Sequence, residues 1–508
     1  MDIKKIKTLG DLKSSGYKPK NIKDELRQNL IEKLKRKENT FHGILGYEDS
    51  VIPDVERAIL SKHNILFLGL RGQAKTRMAR LMTELLDEYI PTVSGSEIND
   101  DPLNPVSKYA QDLIAAHGDE TPIHWIHRSD RYGEKLATPD VSVADLIGDI
   151  DPIKAANLRL SFADERVIHY GIIPRSNRGI FVINELPDLQ ARIQVALFNI
   201  LEEGDIQIRG FKLRMPLDIL FVFTANPEDY TNRGAIVTPL KDRIESQILT
   251  HYPKTLETAL EITEQEAEID EEQKTKVKIS DLVKRLIEQV AFEARASEFV
   301  DKKSGVSARL TISAFENAVS AAELRSIVNQ EKQTQVWISD LIGIIPSITG
   351  KIELVYEGEQ EGPFQVAMNL LDKSIRSQFI QYFPNPEALK KRVKPTAEGK
   401  PKEENPFRSI IGWFDKGNNL NLSFTTTDKE KIMLLYKVDG LHALVKKYFS
   451  HANESEAALL MEFVLHGLAS HSLISKKVFE GKIEFKDLIG SMMNLGNRNY
   501  EEEFDEES

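Results

Sequence analysis

Apolar residues fall into two textures along this chain. From Phe41 to about Pro253 they come in short β-branched and aromatic runs separated by helix-like stretches, the alternation expected of a parallel sheet flanked by helices. Three runs, at 64–68 (NILFL), 179–183 (GIFVI) and 218–225 (DILFVFTA), are apolar and bounded by turn residues. Each predicts a central strand buried on both faces. From 254 to about 330 strand signals vanish, and Glu, Lys, Ala and Leu at three- and four-residue spacing predict a small helical domain. Residues 1–40 are polar and Lys-rich, with Leu26, Leu30 and Leu34 at helical spacing, and predict an N-terminal helical segment on the surface. Residues 331–508 are expected to be mainly helical, 432–487 in particular, with a charged Pro-containing linker at 387–405 and a disordered acidic tail at 501–508. The acidic stretch 264–272 reads as a solvated face, and no internal repeat is present.

Composition narrows the function classes. A chain of 508 residues suits about three domains at roughly 150 residues each. Its net charge of −12 gives no overall positive field to hold nucleic acid or an anionic membrane surface. With no cysteine, disulfides, thiolate metal sites and cysteine nucleophiles are excluded. The first residues carry positive charge without an apolar stretch behind them, and the longest apolar runs fall far short of the roughly 18 residues that span a bilayer. The expectation is a cytoplasmic protein, with neither membrane nor nucleic acid as partner.

Candidate chemistry begins directly after the first predicted strand, at Gly69-Leu70-Arg71-Gly72-Gln73-Ala74-Lys75-Thr76, followed by a helix-like 77–89. Strand, glycine loop and helix in that order form a phosphate cradle, in which Lys75 neutralises the β- and γ-phosphates of ATP and Thr76 binds Mg²⁺. Ala74 departs from the G-x-x-x-x-G-K-[ST] pattern, a change that costs little at negative φ and crowds the loop at positive φ. The second run ends in Ile183-Asn184-Glu185, the form of a strand that orients Mg²⁺ and its waters and carries the residue polarising the attacking water, with Asn in place of the usual Asp. Asn184 can still reach the metal through a water but brings no charge. The third run delivers Thr224-Ala225-Asn226-Pro227, placing an amide at a strand end where α/β sheets bind ligands. Each signal alone has a plain reading as a turn or helix cap; their succession on three buried strands points to a P-loop ATPase. His124 and His127 have a metal-site spacing, but no third ligand is evident.

The loop resembles the G-x-R-G-T-G-K-S loop of the magnesium-chelatase ATPase subunit. Gly43-Ile44-Leu45-Gly46-Tyr47-Glu48, Ala137-Thr138-Pro139-Asp140, 146–151 (LIGDID) and 171–180 (GIIPRSNRGI) are similar to that family's segments around its nucleotide pocket. The resemblance spans about 41–325 and touches the related MoxR-type ATPases. It implies an α/β P-loop AAA+ core at 41–253, with a hairpin at 204–213, and a helical lid domain at 254–330. Within the loop it assigns Gly69, Arg71, Gly72, Gln73, Ala74, Lys75, Thr76 and Arg77 to nucleotide, and Thr76 and, through water, Asn184 to Mg²⁺. Glu185 becomes the catalytic base and Asn226 the residue holding the water. Arg243, in Leu240-Lys241-Asp242-Arg243, becomes a finger reaching a neighbour's ATP, and Arg309, in Ser307-Ala308-Arg309-Leu310-Thr311, a sensor of the γ-phosphate. Read without the resemblance, Arg243 is a surface arginine paired with Asp242 or Glu245, and Arg309 a helix-start arginine. Residues 335–508 match no recognised family. The chain shows no D-x-S-x-S motif, so the von Willebrand-type domain that accompanies such ATPases is expected on a separate partner chain.

The function expected is an ATP-hydrolysing ring, read as a homo-hexamer, that remodels a partner protein. Ala74 and Asn184 keep open a nucleotide-gated scaffold with little turnover. A DNA-acting machine is disfavoured by charge.

Overall fold

The computed structural model describes residues 3–162, 164–208, 214–227, 235–391, 405–479 and 481–488. The chain divides into two compact units, Met1–Tyr252 and Pro253–Ser508.

Five parallel strands form the centre of the first unit: β1 (Ile65–Leu68), β2 (Tyr132–Leu136), β3 (Gly179–Asn184), β4 (Ile219–Ala225) and β5 (Ser246–Leu249), in the order β5-β1-β4-β3-β2. Every residue of β3 and β4 is buried. Because side chains alternate across a strand, these two runs feed two cores. Phe181, Ile183, Phe221 and Phe223 join Leu66 on one face, while Ile180, Val182, Leu220 and Val222 join Ile65, Phe67 and Ile248 on the other. The outer strands β2 and β5 are only partly buried and mix polar with apolar residues. Neither stands out as a strand in the sequence, for that reason.

The N-terminal segment is not a surface appendage. Helix Ile22–Lys35, capped by Asn21 whose side chain accepts from the Lys23 N–H, sends Ile22, Leu26 and Leu30 into the second of those cores; Leu34 alone of the expected stripe is exposed. The same helix buries Glu25 against Arg131 in a two-pronged ion pair, both bonds 2.7 Å and both side chains at most 3% exposed. Arg131 also donates to the Arg178 carbonyl at 2.8 Å. Removing one member of such a pair leaves an uncompensated buried charge. Glu25→Ala is therefore expected to lower unfolding free energy by about 3–5 kcal/mol, measured by urea denaturation, whereas an alanine at exposed Leu34 should change it little.

In the second unit, helices Asp281–Ala296, Arg309–Val328, Pro363–Tyr382 and Glu454–Ser470 share one large core. Two parts of it differ from the helical expectation. Val277–Lys278 pairs in parallel with Thr334–Gln335, and the stretch read as helix to 487 ends in strands Ser475–Phe479 and Lys482–Lys486, which form an antiparallel sheet with Leu420–Ser423. The physical reason is a period-two pattern: Ile483 and Phe485 are fully buried while Lys482, Glu484 and Lys486 between them are not. Strands Asp205–Gln207 and Arg214–Pro216 pair at the position of the expected hairpin, whose tip, like residues 392–404 of the linker and the acidic tail, lies outside the described residues. Among the described residues no helix is long and apolar enough to cross a membrane.

Candidate nucleotide site

The candidate phosphate loop leaves β1 at Leu68 and enters helix Lys75–Leu81. Its course is pinned from outside. Gly69 is packed so closely that a Cβ there would collide with the side chains of Thr250 and Gln73. Gln73 is buried and accepts from the Thr250 hydroxyl at 2.7 Å, the Tyr47 hydroxyl lies 3.0 Å from the Gln73 carbonyl, and Tyr252 donates to the Arg71 carbonyl at 2.8 Å. Gly72 and Ala74 both take left-handed backbone, with φ of 72° and 55°. Ala74 thus adopts the glycine conformation the motif calls for, at a cost of about 1–2 kcal/mol for an L-residue.

Lys75 is only 8% exposed, and its ammonium donates to the carbonyls of Gly69 and Leu70, the latter at 3.0 Å, and to Asn226 Oδ1 at 2.6 Å. Asn226, just past β4, passes the contact on: its Nδ2 donates to Glu185 Oε2 at 2.9 Å. Glu185 follows β3 in left-handed backbone (φ 55°), and its N–H donates to the Thr224 hydroxyl at 3.1 Å. A second line of contacts starts at Thr76, whose hydroxyl donates to Asn184 Oδ1 at 3.2 Å; the Thr224 hydroxyl donates to the same oxygen at 3.0 Å. Asn184 Nδ2 in turn donates to Glu134 Oε1 at 2.7 Å. Lys75, Thr76, Asn184, Glu185 and Asn226 thus converge at the C-terminal ends of the three adjacent strands β1, β4 and β3, the edge at which open α/β sheets bind ligands.

These groups fit a nucleotide and its metal. An ammonium ringed by oxygen acceptors is held where it can exchange a carbonyl for a phosphate oxygen. The Thr76 hydroxyl and Asn184 amide oxygen are hard oxygen donors of the kind Mg²⁺ takes. Arg71, Gly72 and Arg77 lie on the exposed side of the loop and its helix.

The two remaining arginines are described each within its own unit. Arg243 caps helix Thr238–Asp242 and binds Glu202 through Nε and Nη2 at 2.9 and 2.6 Å, the Pro239 carbonyl at 2.8 Å and the face of Phe198 at 5.0 Å. Its ion-pair partner is therefore Glu202, not Asp242 or Glu245. Arg309 opens helix Arg309–Val328 of the second unit and is exposed. His124 and His127 share strand Ile123–His127, where a three-residue separation turns them to opposite faces; His127 pairs with Ser129 at 2.8 Å.

Two residues of the cluster escape a reading of the sequence for function. Thr224 sits inside the apolar third run, and its hydroxyl matters only because β3 lies beside β4. Glu134 lies on edge strand β2, and nothing in the linear order sets it against Asn184.

No protein-family model matches the chain. Among curated proteins, the magnesium-chelatase 38 kDa subunit of Cereibacter sphaeroides is 24% identical over 201 residues, 39% of this chain and 54% of that protein. The subunit of the same name from Rhodobacter capsulatus is 24% identical over 226 residues, 44% of this chain and 59% of that protein. The chain spans little more than half the length of these relatives. Among solved structures, a complex between subunits BchI and BchD of magnesium chelatase aligns at 18% identity over 63% of this chain and 98% of that one, with a TM-score of 0.32. Over the matched residues, then, the chain is similar to the magnesium-chelatase 38 kDa subunits, and it carries a parallel sheet flanked by helices with a glycine-containing loop at the end of β1.

Proposed function

We propose that this chain binds ATP with Mg²⁺, hydrolyses it in a ring of like copies, read as a hexamer, and uses the cycle to remodel a partner protein in the manner of a magnesium-chelatase motor, with a von Willebrand-type domain supplied by a separate chain. The observation that carries the reading is the hydrogen-bonded line Lys75–Asn226–Glu185 at the strand ends. It joins the cation suited to phosphate, the amide suited to holding a water and the carboxylate suited to polarising it. Mg²⁺, when bound, neutralises charge developing on the transferred phosphoryl group. In this reading Lys75 binds and orients the phosphates, Thr76 and Asn184 hold the metal and its water, Asn226 positions the attacking water, and Glu185 draws on its proton. Arg243 of a neighbouring copy serves as the finger, and Arg309 as the sensor of the γ-phosphate.

Glu185→Gln tests the catalytic part. The variant keeps the shape and the bond from Asn226 but cannot take a proton. It is expected to bind ATP with wild-type affinity and to lose hydrolysis by about 100-fold or more, read by steady-state phosphate release. Equal rates in the two proteins would remove Glu185 as the base. A specific observation supports a second reading, a nucleotide-gated scaffold: the metal-facing position carries the neutral Asn184, and the loop carries a strained Ala74. Phosphate release at background in assembled wild-type rings with Mg²⁺ would favour that reading over the motor.

A further inference from the structure

Asn184 presents two chemically opposite ends, an oxygen that can face a cation and an NH₂ group that repels one. Which end faces Thr76 is decided by what lies behind the amide. There the structure places Glu134, from the neighbouring strand β2, with Oε1 2.7 Å from Asn184 Nδ2. An ionised carboxylate only accepts hydrogen bonds, so it holds the NH₂ end and turns Oδ1 toward the Thr76 and Thr224 hydroxyls, at 3.2 and 3.0 Å. The reverse orientation would set the amide oxygen against a carboxylate oxygen.

Glu134 is itself held. Its other oxygen, Oε2, receives Arg80 Nε at 3.0 Å, Arg80 Nη2 at 2.9 Å and the Tyr132 hydroxyl at 2.9 Å. Three donors on one oxygen leave Oε1 aimed at Asn184. Arg80 also offsets the charge of Glu134, so what reaches the metal side is direction and polarisation, not an added negative charge.

We propose that Glu134 is a positioning residue for the metal: by fixing the Asn184 amide with its oxygen outward, it lets a neutral side chain serve where a carboxylate is usual. The proposal rests on the nucleotide-site reading above, and it predicts a coupling that reading does not contain. In Glu134→Gln the single side-chain oxygen is claimed by Arg80 and Tyr132. The new Nε2 then faces Asn184 and forces its amide to invert, presenting NH₂ to the metal. Asn184→Asp alone sets two carboxylates against each other across the same contact, so it too should impair metal binding. Combining the two substitutions restores complementarity, because the new amide at position 134 donates to the new carboxylate at position 184, whose other oxygen then faces outward.

The experiment is calorimetric titration of ADP into the full chain in EDTA and in Mg²⁺, with Mn²⁺ bound to the ADP complex counted by paramagnetic resonance. Wild type should bind ADP more tightly with metal. Glu134→Gln should match wild type in EDTA yet lose about 10- to 100-fold in Mn²⁺ affinity, Asn184→Asp should also lose affinity, and the double variant should recover it. A merely structural role for Glu134 would not give recovery from a second substitution. Wild-type Mn²⁺ affinity in Glu134→Gln, or a double variant no better than either single one, would overturn the proposal. Failure of wild type to bind ADP even in EDTA would overturn it at its base, by removing the nucleotide-site reading, and is distinguishable from both.

Discussion

Lys75→Ala is expected to weaken ATP binding by about two to four factors of ten. Hydrogen bonds to charged groups are worth about 1.5–3 kcal/mol each. Two of them to phosphate oxygens amount to about 3–6 kcal/mol, at about 1.4 kcal/mol for each factor of ten. The structure argues for the lower half of that range. The ammonium is bonded to two loop carbonyls and to Asn226, so binding phosphate exchanges protein acceptors and not only water. The same contacts imply a secondary effect: the alanine variant leaves the Gly69 and Leu70 carbonyls and Asn226 without this donor, loosening the loop. Fluorescent-nucleotide titration measures the loss, and circular dichroism with thermal unfolding shows whether the fold persists. Unchanged affinity in a folded variant would mean that the loop does not hold the phosphates.

The second large effect concerns Arg243 and rests on the proposed ring. An arginine finger can be worth 10³–10⁵ in rate, so Arg243→Ala should bind ATP almost normally and hydrolyse it at least about 1000-fold more slowly. The structure holds Arg243 on Glu202, whose side chain is 59% exposed, and on Phe198. An exposed pair contributes at most about 1 kcal/mol and the ring contact a similar amount. Releasing Arg243 toward a neighbour's phosphate therefore costs far less than a finger returns. Glu202→Gln should leave hydrolysis intact or raise it slightly. Complementation decides between a site completed in trans and one built within a chain. In rings mixed equally from Arg243→Ala and Lys75→Ala subunits, about one interface in four pairs an intact loop with an intact finger. Turnover should return to about a quarter of wild type. No recovery, in rings shown by mass to be mixed, would count against a finger in trans and favour the scaffold reading.

How much of this is legible in the chain varies by element. The three runs at 64–68, 179–183 and 218–225 form β1, β3 and β4 within a residue of their expected ends, because strands buried on both faces must be apolar along their whole length. The loop and the residues ending those strands follow from local order, since each is adjacent in sequence to the strand that positions it. Edge strands β2 and β5 do not follow. A strand half open to solvent admits Glu134 and Lys135 or Ser246 and Gln247, and such segments look like loops. The N-terminal helix is legible as a helix but not as core, because Glu25 reads as a surface charge until Arg131, 106 residues later, is seen to bury with it.

Chain order alone carries the local grammar of this protein: which segments are buried strands, where the glycine-containing loop after β1 begins, and that Asn184 closes the second of those strands. Those features depend on neighbours a few residues away, so composition and period suffice. What stands across each gap is a matter of three-dimensional packing. That packing sets β4 between β1 and β3, so that Asn226 bridges Lys75 and Glu185, and it lays β2 beside β3, so that Glu134 meets the Asn184 amide. Strand order is chosen by packing both faces of the whole sheet at once, and no short stretch of sequence records it.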